Sequence, residues 1–400
     1  MCGIPGFVIR TGPAAAVLAL AAVSVVAAES APSSRPDSHS GLPAALRAKA
    51  EAAIGRSLKR LETTQLPDGG WKGFDDAADP AITSMVGLCF VRDPHYGPRH
   101  AVVRKALRYV LSCKQKDGGI YGDVGVKNYS GSVALMFLSA LRDPALKDEV
   151  AVQQKFLKDL QWYEDKKDDA GKPVDGSHPW YGGAGYGHGK RPDLSNTQMM
   201  LDALHQSGLP PTDPAYKRAL VFIQRCQMCA ETNDQPFAAK ARDGGFIYSP
   251  ANGGESKAGM MTYGDDQVLR SYGSMTYAGF KSMLYAGLDR GDKRVQLAWR
   301  WIRSNYTLDS NPNMPGRQSS EGLYYYYHVF AKALAAWGEP AVIDMEDNRH
   351  DWRGDLCRKL LSLQKPDGSW VNVADRWMEG NPDLVSAYAI LALQETLGSQ

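Results

Sequence analysis

Cysteine is scarce in this chain. There are six in 400 residues, and five of them, Cys89, Cys113, Cys226, Cys229 and Cys357, follow residue 28. An odd, thinly spread set in so long a chain is no disulfide framework. Cys226 and Cys229 form a CxxC pair on an expected helix with neither a second pair nor a nearby histidine, so buried helical thiols are expected there and not a zinc or redox site. Charge of one sign is also lacking: the net charge is +2 at pH 7, and no basic run or basic helix face occurs. No nucleic-acid partner is therefore expected.

Long apolar runs are missing too. The one from Ala14 to Ala28 falls short of the roughly 20 residues that span a bilayer. It follows Arg10 and ends in Val26-Ala27-Ala28, small residues at the positions a signal peptidase reads. Residues 1–28 therefore read as a secretory signal, cut after Ala28, which predicts a secreted or periplasmic protein with no stable membrane span. Cys2 precedes the run, which speaks against a lipoprotein anchor. Residues 29–43 are rich in Ser and Pro, the composition of a disordered linker.

What is present is a repeat. Gln364-Lys365-Pro366-Asp367-Gly368-Ser369-Trp370 has a twin in Gln65-Leu66-Pro67-Asp68-Gly69-Gly70-Trp71. Shortened copies lie between them at Asp117-Gly118-Gly119, Asp175-Gly176-Ser177-His178-Pro179-Trp180 and Asp243-Gly244-Gly245-Phe246. Each reads as a turn that ends a helix: Pro sets φ, Asp bonds its own backbone, and Gly takes positive φ. The spacings between the aspartates are 49, 58, 68 and 124 residues. The last is a double step, with an eroded copy expected near Asn311 to Gly316, so there are six units of helical-pair type.

Periodicity supports the pairs. Amphipathic stripes at Ala45 to Gln65, Val102 to Leu111, Val150 to Trp162, Tyr216 to Cys229, Val295 to Ile302 and Trp352 to Gln364 read as outer helices. Almost wholly apolar stretches at Ile82 to Val91, Ser132 to Leu141, Leu194 to Leu204, Ser271 to Leu288, Gly322 to Trp337 and Leu384 to Leu397 read as inner ones. Hydroxyls near the inner starts, such as Thr83, Thr197 and Ser386, are expected to cap them.

The Pro-Asp-Gly-x-Trp turn between a Gln-ending helix and one rich in small residues resembles the prenyltransferase and squalene-cyclase repeat superfamily. The resemblance runs over roughly residues 44 to 397 of the 44–400 repeat domain. It implies an all-α fold, an (α/α)6 toroid of six helix pairs around a central cavity. In such a toroid the long outer-to-inner loops gather at one mouth.

The superfamily's chemistry is incomplete here. Protein prenyltransferases hold zinc with Asp, Cys and His; only His328 stands near an expected position, so no metal and no cofactor are expected. Squalene-type cyclases protonate an alkene with Asp-x-Asp-Asp, and the nearest match, Tyr263-Gly264-Asp265-Asp266, lacks the first acid. Asp75-Asp76-Ala77-Ala78-Asp79 matches a magnesium-diphosphate pattern but reads as loop before Pro80. The reactive thioester sequence of complement-type toroids is absent.

The candidate catalytic residues are thus Asp265, Asp266 and His328, with His188, Trp180, Tyr272, Tyr324 and Tyr326 as ligand-binding neighbours. A diverged enzyme or binding module for a small apolar, isoprenoid-like ligand is the leading reading. The alternatives are a terpene-cyclase-type enzyme using Asp265 or Asp266 as its acid, and a sugar lyase or glycosidase. The last would use Trp71, Trp180, Trp370 and Trp377 with Asp265, Asp266, Glu321, Asp375 and Glu379.

Overall fold

The structure is a computed structural model that describes residues 41–123 and 125–398. The expected signal and most of the expected linker lie outside the described residues. Twelve α-helices occur among those described: α1 (Ala44–Thr64), α2 (Pro80–Val91), α3 (Ala101–Ser112), α4 (Lys127–Ala140), α5 (Lys147–Leu160), α6 (Leu194–Gln206), α7 (Pro214–Cys226), α8 (Gly273–Tyr285), α9 (Lys293–Ser304), α10 (Leu323–Trp337), α11 (Trp352–Leu363) and α12 (Pro382–Leu397). Two small antiparallel hairpins interrupt them, β1 (Met260–Tyr263) with β2 (Asp266–Leu269), and β3 (Val342–Ile343) with β4 (Arg349–His350).

The even-numbered helices form a closed ring, each packing on its even neighbours, with α12 returning to α2. The odd-numbered helices lie outside, α3 on α2, α5 on α4, and so on to α1 on α12. Burial follows the sequence pattern. Every residue of α2 from Pro80 to Phe90 is buried, whereas α3 buries a stripe, Val102, Val103, Ala106 and Val110, and turns its charges outward. This is the expected all-α toroid of six pairs.

The repeated glutamine ties α1 to α3, α5 to α7 and α7 to α9. Gln65 Nε2 donates to Gly69 O at 2.9 Å and to Val102 O of α3 at 3.0 Å. Gln161 does the same to Gly182 and Ala215 of α7, and Gln227 to Gly244 and Arg294 of α9. The third turn is therefore Gly182-Gly183, not the expected Asp175 to Trp180 segment, which is part of an insertion ahead of it. Gly182 has φ +83°, as Gly69 has +100°, and a Cβ there would meet Arg218 O, so only glycine fits.

The inner-helix hydroxyls also act differently from expectation. Thr83 Oγ1 accepts from Trp71 N, Thr197 from Ala184 N, Thr276 from Phe246 N and Ser386 Oγ from Trp370 N, each at 3.0 to 3.1 Å. They staple the turn to the inner helix. The caps are instead Asp79, Asp193 and Asn381, whose side-chain oxygens accept first-turn N–H groups. Near the eroded fifth copy, Asn311 Oδ1 accepts from Ser274 N of α8. Helix α7 stops at Cys226, so Cys229 lies beyond it, buried and unpaired.

Candidate functional site

The outer-to-inner connections all reach the N-terminal end of the inner ring. There they enclose a cavity of about 230 Å³. Each inner helix gives its first turns to the wall: Ile82 of α2, Tyr129 of α4, Ser195 of α6, Met275 of α8, Tyr325 of α10 and Leu384 with Tyr388 of α12. Tyr186, Tyr248 and Tyr272 complete it, and Phe74 and Trp377 stand at its opening, 66 % and 43 % exposed. A larger hollow, about 1030 Å³, lies among the C-terminal ends of α2, α4, α6 and α12, where Arg92 is already paired with Glu395 at 2.9 Å.

Two carboxyls line the cavity, Asp79 and Glu379. The N-cap of α10 is Gly322, which has no side chain to cap the helix, and Glu379 takes over that role from the 371–381 loop. Its Oε1 accepts from Tyr325 N at 2.7 Å, and its Oε2 from Asn372 Nδ2 at 2.6 Å. Burial nevertheless pushes the carboxyl up to about 7, against the opposing pull of the Asn372 amide and the helix N–H groups. Asp79 is raised by burial, though the N–H groups of Ile82 and Ala81 resist. Asp193, capping α6 just behind the wall, is raised by burial to about 6. The tyrosines are linked: Tyr129 and Tyr388 share a 2.6 Å hydroxyl contact, and Tyr325 OH meets Ser195 Oγ at 3.1 Å and accepts from Gln198 Nε2 at 3.0 Å.

An ionic cluster is buried deeper in the inner helices. Asp202 of α6 accepts from Lys281 of α8 and from Lys332 of α10, each at 2.6 Å. Lys281 also donates to Gln198 Oε1 at 2.8 Å. The two ammonium groups hold Asp202 down to about 2 despite its burial. Burial holds Lys281 down to about 8.

The residues singled out by sequence are dispersed. Tyr272 lines the cavity. His328 sits in α10 beside Tyr388, held neutral first by burial and then by the nearby lysines, and its Nδ1 has no partner among the described residues. Tyr324 is buried beside Tyr327, and Tyr326 is fully buried with its hydroxyl donating to Thr307 O. Trp180 packs on Trp162 in a separate cluster, and His188 is half exposed near Asp117. Asp265 is at the exposed tip of the β1–β2 hairpin, and Asp266 pairs with Lys240; neither lines the cavity nor caps α8. Trp71 and Trp370 are fully buried, donating their indole N–H to Leu61 O and Leu360 O. Asp79 was legible as an Asp-Pro helix start, the signature also present at Asp213-Pro214. Glu379 carries no such local signal, because the N-terminus it caps is distant in sequence.

No protein-family profile matches this sequence, and no curated protein matches it. Solved structures do. A variant of the type II terpene cyclase MstE from Scytonema, in complex with geranylgeranyl dihydroxybenzoate, has 12 % identity and a TM-score of 0.51, covering 89 % of this chain and 99 % of its own. The GH76A α-1,6-mannanase of Salegentibacter sp. HEL1_6 has 8 % identity and a TM-score of 0.54, covering 87 % and 98 %. A D-mannose isomerase has 11 % identity and a TM-score of 0.55, covering 90 % and 100 %. At these identities the likeness is one of fold.

Proposed function

We propose that this chain is a diverged toroid enzyme or binding protein that seats an apolar, isoprenoid-like ligand in the cavity at the loop end. Glu379 is the acid of that site, replacing the Asp265 or Asp266 expected from sequence. The observation that carries this reading is a buried carboxyl, Glu379, on a cavity walled by tyrosine, methionine and leucine. Such an acid is still partly protonated at neutral pH and can deliver its proton to an alkene, and the surrounding aromatic faces stabilise the cation that forms. The MstE complex gives the same fold an isoprenoid-bearing substrate.

Calorimetric titration with the hydrocarbon farnesene tests it. Binding with a negative heat-capacity change, weakened by Phe74→Ala and Trp377→Ala at unchanged melting temperature, is the expected result. No detectable binding would refute the reading.

A sugar ligand is the second reading. It is favoured by the two carboxyls, Asp79 and Glu379, on one cavity with Phe74 and Trp377 exposed at its opening. Binding of α-1,6-mannotriose in place of farnesene would decide for it. We further infer export, supported by the apolar run at Ala14 to Ala28; a mature protein whose intact mass retains Met1 would overturn that.

A further inference from the structure

The hydrogen-bond directions between the buried ionic cluster and the cavity are fixed by chemistry. The Lys281 ammonium can only donate, so Gln198 must present its oxygen to it, at 2.8 Å. That orients the amide: its Nε2 faces Tyr325 OH at 3.0 Å and donates to it. The reverse orientation would set an N–H against an ammonium. Tyr325 therefore accepts from Gln198, and its own proton is free to point elsewhere. What lies elsewhere is Ser195 Oγ at 3.1 Å and the cavity, which both residues line.

The chain has a charge behind it. Two lysines face one aspartate, and no second carboxylate accepts from Lys281 or Lys332 among the described residues. Lys281, Asp202 and Lys332 are all at most 5 % exposed, so little solvent screens the excess positive charge. An amide whose oxygen is held by an ammonium is a stronger N–H donor, and a phenol whose oxygen accepts from it is a stronger O–H donor. Burial keeps Tyr325 protonated.

We propose that Tyr325 recognises an oxygen acceptor on the ligand, a carboxylate or carbonyl, with Gln198 as the positioning residue that transmits the charge of the Lys281–Asp202–Lys332 cluster to it. The ligand is then amphipathic. Its apolar skeleton lies against Ile82, Met275, Leu384 and the aromatic wall, and its oxygen end is at Tyr325. This inference rests on the isoprenoid-like reading above and names the ligand's polar end.

Farnesoic acid and farnesene, alike in skeleton but differing in the carboxylate, are the probes. The unmodified protein at about pH 6, where an ordinary carboxyl is ionised while Lys281, held down to about 8, is still an ammonium, is expected to bind farnesoic acid at least ~10-fold more tightly than farnesene. Tyr325→Phe removes the donor. Gln198→Glu keeps the shape and the contact with Lys281 but reverses the chain, because a carboxylate must accept from Tyr325 and so draws its proton away from the cavity. Both variants should bring the two affinities to within about twofold of each other. A merely structural role for Gln198 would lower both affinities together. Equal binding of the probes by the unmodified protein, or a preference that survives both substitutions, overturns the inference and leaves the isoprenoid reading standing. Failure of both probes to bind overturns the two together. Should Gln198→Glu not fold, Tyr325→Phe decides alone.

Discussion

Gln364, the last-repeat glutamine, donates to Ala53 O of α1 at 2.9 Å while holding its own turn through Gly368 O at 3.0 Å. Residues 311 positions apart are thus joined by the bond that elsewhere joins consecutive outer helices, and this bond lies at the seam of the ring. Beside it, Arg60 of α1 reaches Asp383 of α12 at 2.7 Å. Closure therefore joins the turn of the last repeat and the start of α12 to α1.

Gln364→Ala is expected to lower stability by about 2 kcal/mol, because two backbone carbonyls lose a donor in a partly buried seam. Gln115→Ala should cost under about 1 kcal/mol, since Gln115 bonds only within its own exposed turn, to Cys113 O and Tyr121 O. Urea unfolding of the two variants measures the difference. Equal losses would mean that the seam is no more demanding than any other repeat junction.

Glu379 gives a pH dependence with a definite sign. Its folded-state value of about 7 lies above the ordinary 4.5. The folded protein therefore holds that proton more tightly than the unfolded chain. The resulting stability is complete below 4.5 and is lost as pH rises through about 7. The size is on the order of 3 kcal/mol. Melting temperature should fall over that interval, and Glu379→Gln should flatten the fall. A variant whose melting curve tracks the unmodified protein at every pH would show that another group is responsible.

Much of the fold was legible because its signals are local. A helix stripe, an Asp-Pro start and a Pro-Asp-Gly-x-Trp turn each involve residues a few positions apart, and the twelve helices follow from them. The third repeat misled because Asp175-Gly176-Ser177 makes a genuine turn, with Asp175 Oδ1 accepting from Ser177 N at 2.8 Å, yet the glutamine bonds farther on at Gly182. The site was less legible because its chemistry is assembled across the ring. Glu379 matters because Gly322 leaves α10 uncapped, and Tyr325 because Gln198 and Lys281 stand behind it. Adjacent acids such as Asp265 and Asp266 attract attention in sequence; in space they form a hairpin turn.

Those two aspartates should be dispensable. Asp265→Asn and Asp266→Asn are expected to leave ligand affinity unchanged and to shift stability by less than about 1 kcal/mol, the Asp266–Lys240 pair being a surface one. Calorimetry with farnesene and thermal melting check both. A loss of binding with an intact melting temperature would return the acid role to the hairpin.

The buried cluster should respond unequally to loss of its members. Asp202→Ala leaves Lys281 and Lys332 facing each other without a counter-charge, and a cost of about 3–5 kcal/mol is expected. Lys332→Met removes the surplus ammonium and keeps the Asp202–Lys281 pair, so it should be within about 1 kcal/mol of neutral or stabilising. The pH dependence supplies an independent check. Lys281 is held down to about 8 from its usual 10.5 even with Asp202 present; without that carboxylate the folded state must shed protons that the unfolded chain keeps. Stability of Asp202→Ala should therefore rise with pH up to the usual lysine value, since the unfolded chain binds more protons throughout that range. A variant as stable as the parent, with no such rise, would mean that a bound anion already neutralises the lysines, and the charge transmitted through Gln198 to Tyr325 would then be absent.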